Sequence, residues 1–431
     1  MSHDDPIGEP AADAIETVFR RESGRLISVL TRLLGPQNLQ LAEDVVQEAF
    51  IAAMRDWAAH GIPDNPPAWL MTTARRRAID AIRRERTRRT FAADLAKFLD
   101  SEWTLAMTVE EAFGEPGIQD DQLRMIFMCC HRILSPENRI TLILKTLCGL
   151  TVPAIARALL TTEATVNKRL YRTRSALRGV QFEIPAGEDL PAARDTVHTA
   201  LYLLFNEGHL STADKPILRE LCRDAMALTR LLADHPEIAT SDTMALLALM
   251  CFNAARLESR LDDEGRLIPL DRQDRSRWDR ALMEHGYRCL VRSSRMDAVA
   301  ASRYHLEAAI AARHCSAATF DTTDWVSICH LYDRLLEVAP SPLVELNRAV
   351  AVSYRDSPEA AIPLVEAVAR AGALPNSYTV AAVLANLHTR AGSIDRARPF
   401  LQEALARAAT SHERGLIAAQ IDRAAIRPVK S

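Results

Sequence analysis

LTVPAIARALLTTEATVNKRLYRTRSALR, residues 150–178, is the stretch whose reading decides the fold. Thr151 can cap a helix and Pro153 is tolerated in a first turn, so a short helix is expected from Pro153 to Leu159. Leu160 to Thr162 would form a turn, with Thr162 capping a second helix from Glu163. Val166, Leu170 and Leu177 recur at spacings of four and seven and define one buried face. Thr165, Asn167, Lys168, Arg169, Tyr171, Arg172 and Arg174 fall on the other. Two short helices around a tight turn, the second basic on its outer side, suit a helix-turn-helix that enters a DNA major groove. A helical hairpin with a solvated charged face is the alternative from this stretch alone.

Charge distribution favours the first reading, although the formal net charge of the 431-residue chain is −3. Residues 75–89 carry eight arginines against Asp80 and Glu85, a net +6, and residues 157–178 carry +5. Residues 94–121 between them carry −7. Two basic patches joined by an acidic connector suggest two DNA contacts linked by a segment that avoids DNA. Only 15 glycines, abundant Ala, Leu and Arg, and no sustained alternation of apolar and polar residues point to an all-α protein. The eight cysteines form no CxxC pair and read as packed thiols, so neither a metal nor a cofactor is expected. No apolar run is long enough to span a bilayer and the acidic N-terminus is unlike a signal peptide, which leads to a cytoplasmic expectation.

Upstream of the basic patches, helices are expected from Asp13 to about Leu34 and from Leu39 to Trp57. In the second, Leu41, Val45, Phe50 and Met54 would line a core, with Glu43, Asp44, Gln47, Glu48 and Arg55 outward. The loop from His60 to Pro67 holds Gly61 and three prolines and should be rigid and non-helical. A helix from Ala68 to Arg89 follows, with Asp80 four residues from Arg76 and from Arg84. A stiff loop beside an arginine helix bearing Trp69 suits capture of a base flipped from single-stranded DNA, although an aromatic at such a position more often packs in a core.

The AEDVVQEAF run, the AWL and ARRRAIDAIRRERTRR runs, the acidic connector and residues 151–178 resemble, in order and spacing, bacterial RNA polymerase sigma factors of the extracytoplasmic-function type. The resemblance covers roughly residues 13–180. It implies sigma region 2 at 13–91, an acidic linker at 92–118 and a region 4 helix-turn-helix at 119–181. It also implies that Asp44, Gln47, Glu48 and Phe50 dock on core polymerase. Asp64 and Asn65 would take the flipped base, and Arg75, Arg76 and Arg77 the adjoining DNA. Thr165, Asn167, Lys168, Arg169, Tyr171 and Arg172 would read the upstream promoter element. Lys168 stands where many relatives have Ser, so their promoter sequence does not transfer.

Beyond IPAGEDLP, residues 184–191, a region ordinary sigma factors of this type lack occupies 186–431. It resembles the subgroup with a long C-terminal extension. Ala349, Ala361, Val365 and Val368 recur 36 positions later as Ala385, Ala397, Leu401 and Ala404, which resembles tetratricopeptide hairpins near 342–410. The mixed charges around Trp278 read as a surface segment laced with ion pairs. The expected function is a sigma factor, not an enzyme, with core RNA polymerase and promoter DNA as partners and a regulatory protein at the extension. The rival is a conventional helix-turn-helix regulator with a ligand- or peptide-binding helical domain.

Overall fold

Cap chemistry places most helix starts. In the computed structural model, which describes all residues except 1–8, 88–114, 160, 210–218, 297–300, 373, 375–377, 409–410 and 427–431, the described residues form a succession of helices. The described residues hold no β-strand beyond one isolated bridge between Leu261 and Leu267. Contacts divide the chain into two units, residues 1–204 and 205–431.

The first unit begins with α1 (Glu9–Leu34), α2 (Leu39–His60) and α3 (Pro66–Thr87). Gly35 and Gly61, both at φ 85°, make the turns after α1 and α2, a conformation that costs glycine little. The loop after α2 is shorter than its three prolines suggest. Pro66 and Pro67 open α3 because proline suits a first turn, and the Asn65 side chain accepts the Ala68 N–H at 3.1 Å. Met54, expected in the core, is 44% exposed, whereas Val45 and Phe50 are buried.

The acidic connector lies largely outside the described residues. After it come α4 (Glu115–Cys129), α5 (Pro136–Thr146), α6 (Val152–Ala158) and α7 (Glu163–Ala176). Thr151 and Thr162 cap α6 and α7 by accepting from Ala154 N and Thr165 N, and Val166, Leu170 and Leu177 are buried. α4 packs on α1, and the end of α5 approaches α1 so closely that a Cβ on Gly24 would lie 2.1 Å from the carbonyl oxygen of Leu147, the α5 C-cap. Helix α8 (Asp189–His209) carries the chain on into the second unit.

There, α9 (Arg219–Asp234) and α10 (Ser241–Ala254) lead to α11 (Arg280–Met296). Nearly every α10 side chain is buried, because α9, α11 and α12 (Arg303–Ser316) pack around it. Antiparallel neighbours continue with α13 (Trp325–Val338), α14 (Pro342–Arg355), α15 (Pro358–Arg370), α16 (Thr379–Arg390), α17 (Ile394–Arg407) and α18 (Ser411–Ile426). All eight residues of the 36-residue repeat are at most 5% exposed. Alanine lets paired helices approach, at 349 and 361 in the hairpin of α14 and α15 and at 385 and 397 in that of α16 and α17. Pro363 and Pro399, inside α15 and α17, obey the same spacing.

Candidate nucleic-acid and polymerase interface

Helix α2 presents Asp44, Gln47 and Glu48 to solvent, with Gln40 Nε2 donating to Asp44 Oδ1 at 2.9 Å. Phe50 does not join them. It is 3% exposed and meets Phe19 edge-on at 4.4 Å, so it fixes the helix rather than offering a docking side chain. Glu48 accepts from Arg77 Nη1 at 2.8 Å, an exposed pair that ties α2 to α3 weakly. Asp64 is exposed, whereas the Asn65 carbonyl is already used as a helix cap. Trp69 is half-buried against Trp57 at 5.7 Å between ring centres. Arg76 is exposed, Arg75 and Arg77 are half-buried, and Asp80 lies 3.8 Å from Arg83.

On α7, Asn167, Lys168, Tyr171 and Arg172 project into solvent, Tyr171 at 73% exposure. Thr165 and Arg169 are half-buried, and the Thr165 hydroxyl is 2.9 Å from its capping neighbour Thr162. The helix thus offers four outward groups with donors or acceptors suited to base edges.

Two residues expected on outer faces are elsewhere. Arg174 of α7 reaches across to α2 and donates to Glu43, whose side chain is 2% exposed. A second charged contact joins the same halves: Arg32 Nε and Arg124 Nη1 each donate at 2.8 Å to Asp121, which is fully buried. Sequence periodicity carried a signal for this. Leu39, Ala42, Glu43, Val46, Ala49 and Phe50 share one stripe of α2, and Arg174 follows Leu170 by four in the stripe of α7. A charged residue in an apolar stripe calls for a partner across the interface.

Burial outweighs Arg174 and holds the Glu43 carboxyl above the usual carboxylate range, and burial does the same to Asp121 against Arg32 and Arg124. The folded state therefore keeps these protons to higher pH than the unfolded chain does. Each group's contribution falls as pH rises from its unfolded pKa through its folded one.

The second unit contains one arrangement that imitates a hydrolase. His305 Nε2 is 2.8 Å from Ser241 Oγ and 2.7 Å from Ser293 Oγ, and its Nδ1 is 3.4 Å from Asp242. However, His305 Nδ1 accepts from the Ser302 N–H, which leaves the ring proton on Nε2, and Ser293 is completely buried and donates to the Ser241 carbonyl. The group therefore completes the start of α12 and presents no accessible nucleophile. No cluster of three or more potential metal ligands occurs among the described residues.

Comparison with known proteins matches sigma-70 region 2 to residues 18–88 and sigma-70 region 4 to residues 124–177. These spans contain α2, α3 and the helix-turn-helix just described. The chain belongs to the extracytoplasmic-function RNA polymerase sigma factors. A third family, one of unknown function termed DUF6596, matches residues 193–294 within the C-terminal extension. An uncharacterized protein of Rhizobium meliloti, R00370, is 34% identical over 91% of this chain and 92% of its own length. A probable ECF RNA polymerase sigma factor of Mycobacterium tuberculosis, SigI, is 26% identical over 46% of this chain and 66% of its own. The RNA polymerase sigma factor CarQ of Myxococcus xanthus is 28% identical over 32% of this chain and 72% of its own. No solved structure matches. As a sigma factor the protein has core RNA polymerase and promoter DNA as its partners and directs transcription initiation, which sets aside the conventional regulator.

Arg174→Ala strands a buried carboxyl and should destabilise the α2–α7 contact by about 3–5 kcal/mol. Hydrogen exchange should then rise in α7 and in the Glu43 turn of α2, while Glu43→Gln, which still accepts a hydrogen bond, should have a much smaller effect.

Proposed function

We propose that the sigma factor docks on core polymerase through Asp44, Gln47 and Glu48, with Phe50 setting the helix that carries them. Asp64, Asn65 and Trp69 take the flipped base of the melted downstream element, and Arg75, Arg76 and Arg77 hold adjacent phosphates. Thr165, Asn167, Lys168, Arg169, Tyr171 and Arg172 engage the upstream element, the four exposed residues reading base edges. The observation that carries this reading is the exposure, on one unit, of an acidic α2 surface and a basic α7 surface. Opposite surface charge separates the two tasks: the acidic patch is repelled by DNA, and the basic one gains sequence-independent affinity from phosphates. The functional divisions are those of the sequence: region 2 at 13–91, linker at 92–118, region 4 at 119–181 and extension at 186–431. A cytoplasmic location follows from the template, and no described helix is long and apolar enough to cross a membrane.

The extension regulates that activity by binding a partner protein, and its hairpins near 342–410 act as tetratricopeptide-like repeats. Support comes from a cavity of about 420 Å³ lined by Trp325, Asn347, Tyr354, Asn386 and Arg390. Arg390 lies 3.9 Å from the centre of the Tyr354 ring and donates to the Ser353 carbonyl at 2.9 Å, while Trp325 and Tyr354 stack at 4.6 Å. Such a rigid aromatic wall beside amide side chains suits a protein segment.

Three measurements test the reading. Asp44→Arg with Glu48→Arg should abolish co-elution of the full chain with core polymerase on size exclusion; retained co-elution would remove α2 as the docking surface. Lys168→Ala and Arg172→Ala should each cost about 1–3 kcal/mol of promoter recognition, read as template competition in transcription in vitro. Ending the chain after Ile184 should change promoter-specific transcription several-fold, and an unaltered rate would take regulation away from the extension.

A further inference from the structure

The second unit holds a group of cations that polymerase and promoter binding do not use. Arg256 follows α10, and its guanidinium carbon lies 5.5 Å from the centre of the Trp278 ring; that of Arg275 lies 4.8 Å from the same ring. Trp278 is 3% exposed, so the segment expected to be a charged surface instead wraps a buried indole. Arg275 Nη1 donates to the His314 and Ala317 carbonyls at 2.6 and 2.8 Å, and Arg260 Nη1 to the His209 carbonyl at 2.7 Å. These two arginines close the C-terminal ends of α12 and α8, where a cation suits the helix dipole. Among the described residues, no such carbonyl meets the Arg256 guanidinium. Its Nε is buried without a hydrogen-bond partner.

Among the described residues, no carboxylate lies within ion-pair distance of Arg256, Arg260 or Arg275. Burial, then the neighbouring guanidinium, lowers Arg256 and Arg260 to about 10. Burial first, then the same arginines, holds His209 well below its usual value and His314 at about 3, so both rings are neutral. A neutral imidazole adds no charge and carries its one N–H on either ring nitrogen, whereas Trp278 Nε1 and Arg256 Nε are donors in every state. His209 Nε2, His314 Nδ1 and Trp278 Nε1 are each buried with no partner, as is Arg256 Nε.

Unspent N–H donors around an uncompensated buried guanidinium demand an acceptor that also carries negative charge. Water would satisfy the donors and leave the charge. We propose that Arg256, with Trp278, His209 and His314 beside it and Arg260 and Arg275 supplying further positive field, forms a binding site for the oxyanion of a small phosphate or carboxylate ligand. His314 also lines the 420 Å³ cavity, so the oxyanion site adjoins the surface proposed above for a protein segment. The site lies in residues whose family has no assigned function apart from His314, and it stands independently of the polymerase and promoter assignments.

The test uses the full chain, titrated with sodium phosphate and separately with sodium acetate against sodium chloride at matched ionic strength. Binding is followed by calorimetry and by thermal melting. Saturable binding is expected for at least one oxyanion, with a melting rise of about 3 °C or more at saturation. The stronger of the two identifies phosphate or carboxylate as the group recognised. Arg256→Gln should abolish saturation, and in chloride it should melt no lower than wild type because it removes an unpaired buried charge. Trp278→Phe keeps an aromatic ring beside the guanidinium groups but loses the N–H together with part of the indole volume, and should weaken binding about tenfold. The proposal is overturned if phosphate and acetate act on the wild type no differently from chloride, or if both variants bind with wild-type affinity.

Discussion

An all-helical chain can bury apolar surface only by laying the stripe of one helix on another, and this constraint organises both units. In the first unit it brings α1, α2, α4 and α7 together through a mixture of apolar contact and two buried charged groups. In the second it is met by successive hairpins, where alanines at 349, 361, 385 and 397 permit close approach. Once each stripe is covered, what remains outward is polar, and the useful chemistry lies there or in buried polar groups that the packing leaves unanswered.

The first unit shows both outcomes. Asp44, Gln47 and Glu48 stay outside because their neighbours Val45, Val46 and Phe50 occupy the core side of α2. Glu43 is taken inside by the same periodicity and survives burial by meeting Arg174. A single helix therefore carries an accessible acidic surface and a buried acid, one residue apart. The analogous division on α7 leaves Lys168, Tyr171 and Arg172 outward and spends Arg174 on the interior. Buried ion pairs of this kind give little net stability, yet removing one partner costs far more because it strands the other charge.

The second unit uses buried charge differently. Arg260 and Arg275 finish helix ends and are answered by carbonyl oxygens, whereas Arg256 and the nitrogen of Trp278 are not answered. Charge compensation inside the first unit and its absence around Arg256 follow from one rule, that desolvation must be offset by a partner. This contrast is why the extension reads as more than a spacer.

Sequence alone determined the helical class, the helix-turn-helix, the two basic patches, the family and the 36-residue repeat, because periodicity, caps and local charge are properties of neighbouring residues. Thr151, Thr162, Val166 and Leu170 are cases in which such local rules suffice. Only tertiary structure decided that Pro66 and Pro67 begin a helix, that Phe50 is interior and that Met54 is not. It alone joined Glu43 to Arg174 and brought the Arg256 and Arg275 guanidinium groups to the Trp278 ring. These residues are separated by up to 131 positions, and the free energy of a buried charge depends on what other helices bring to it, which no local pattern encodes.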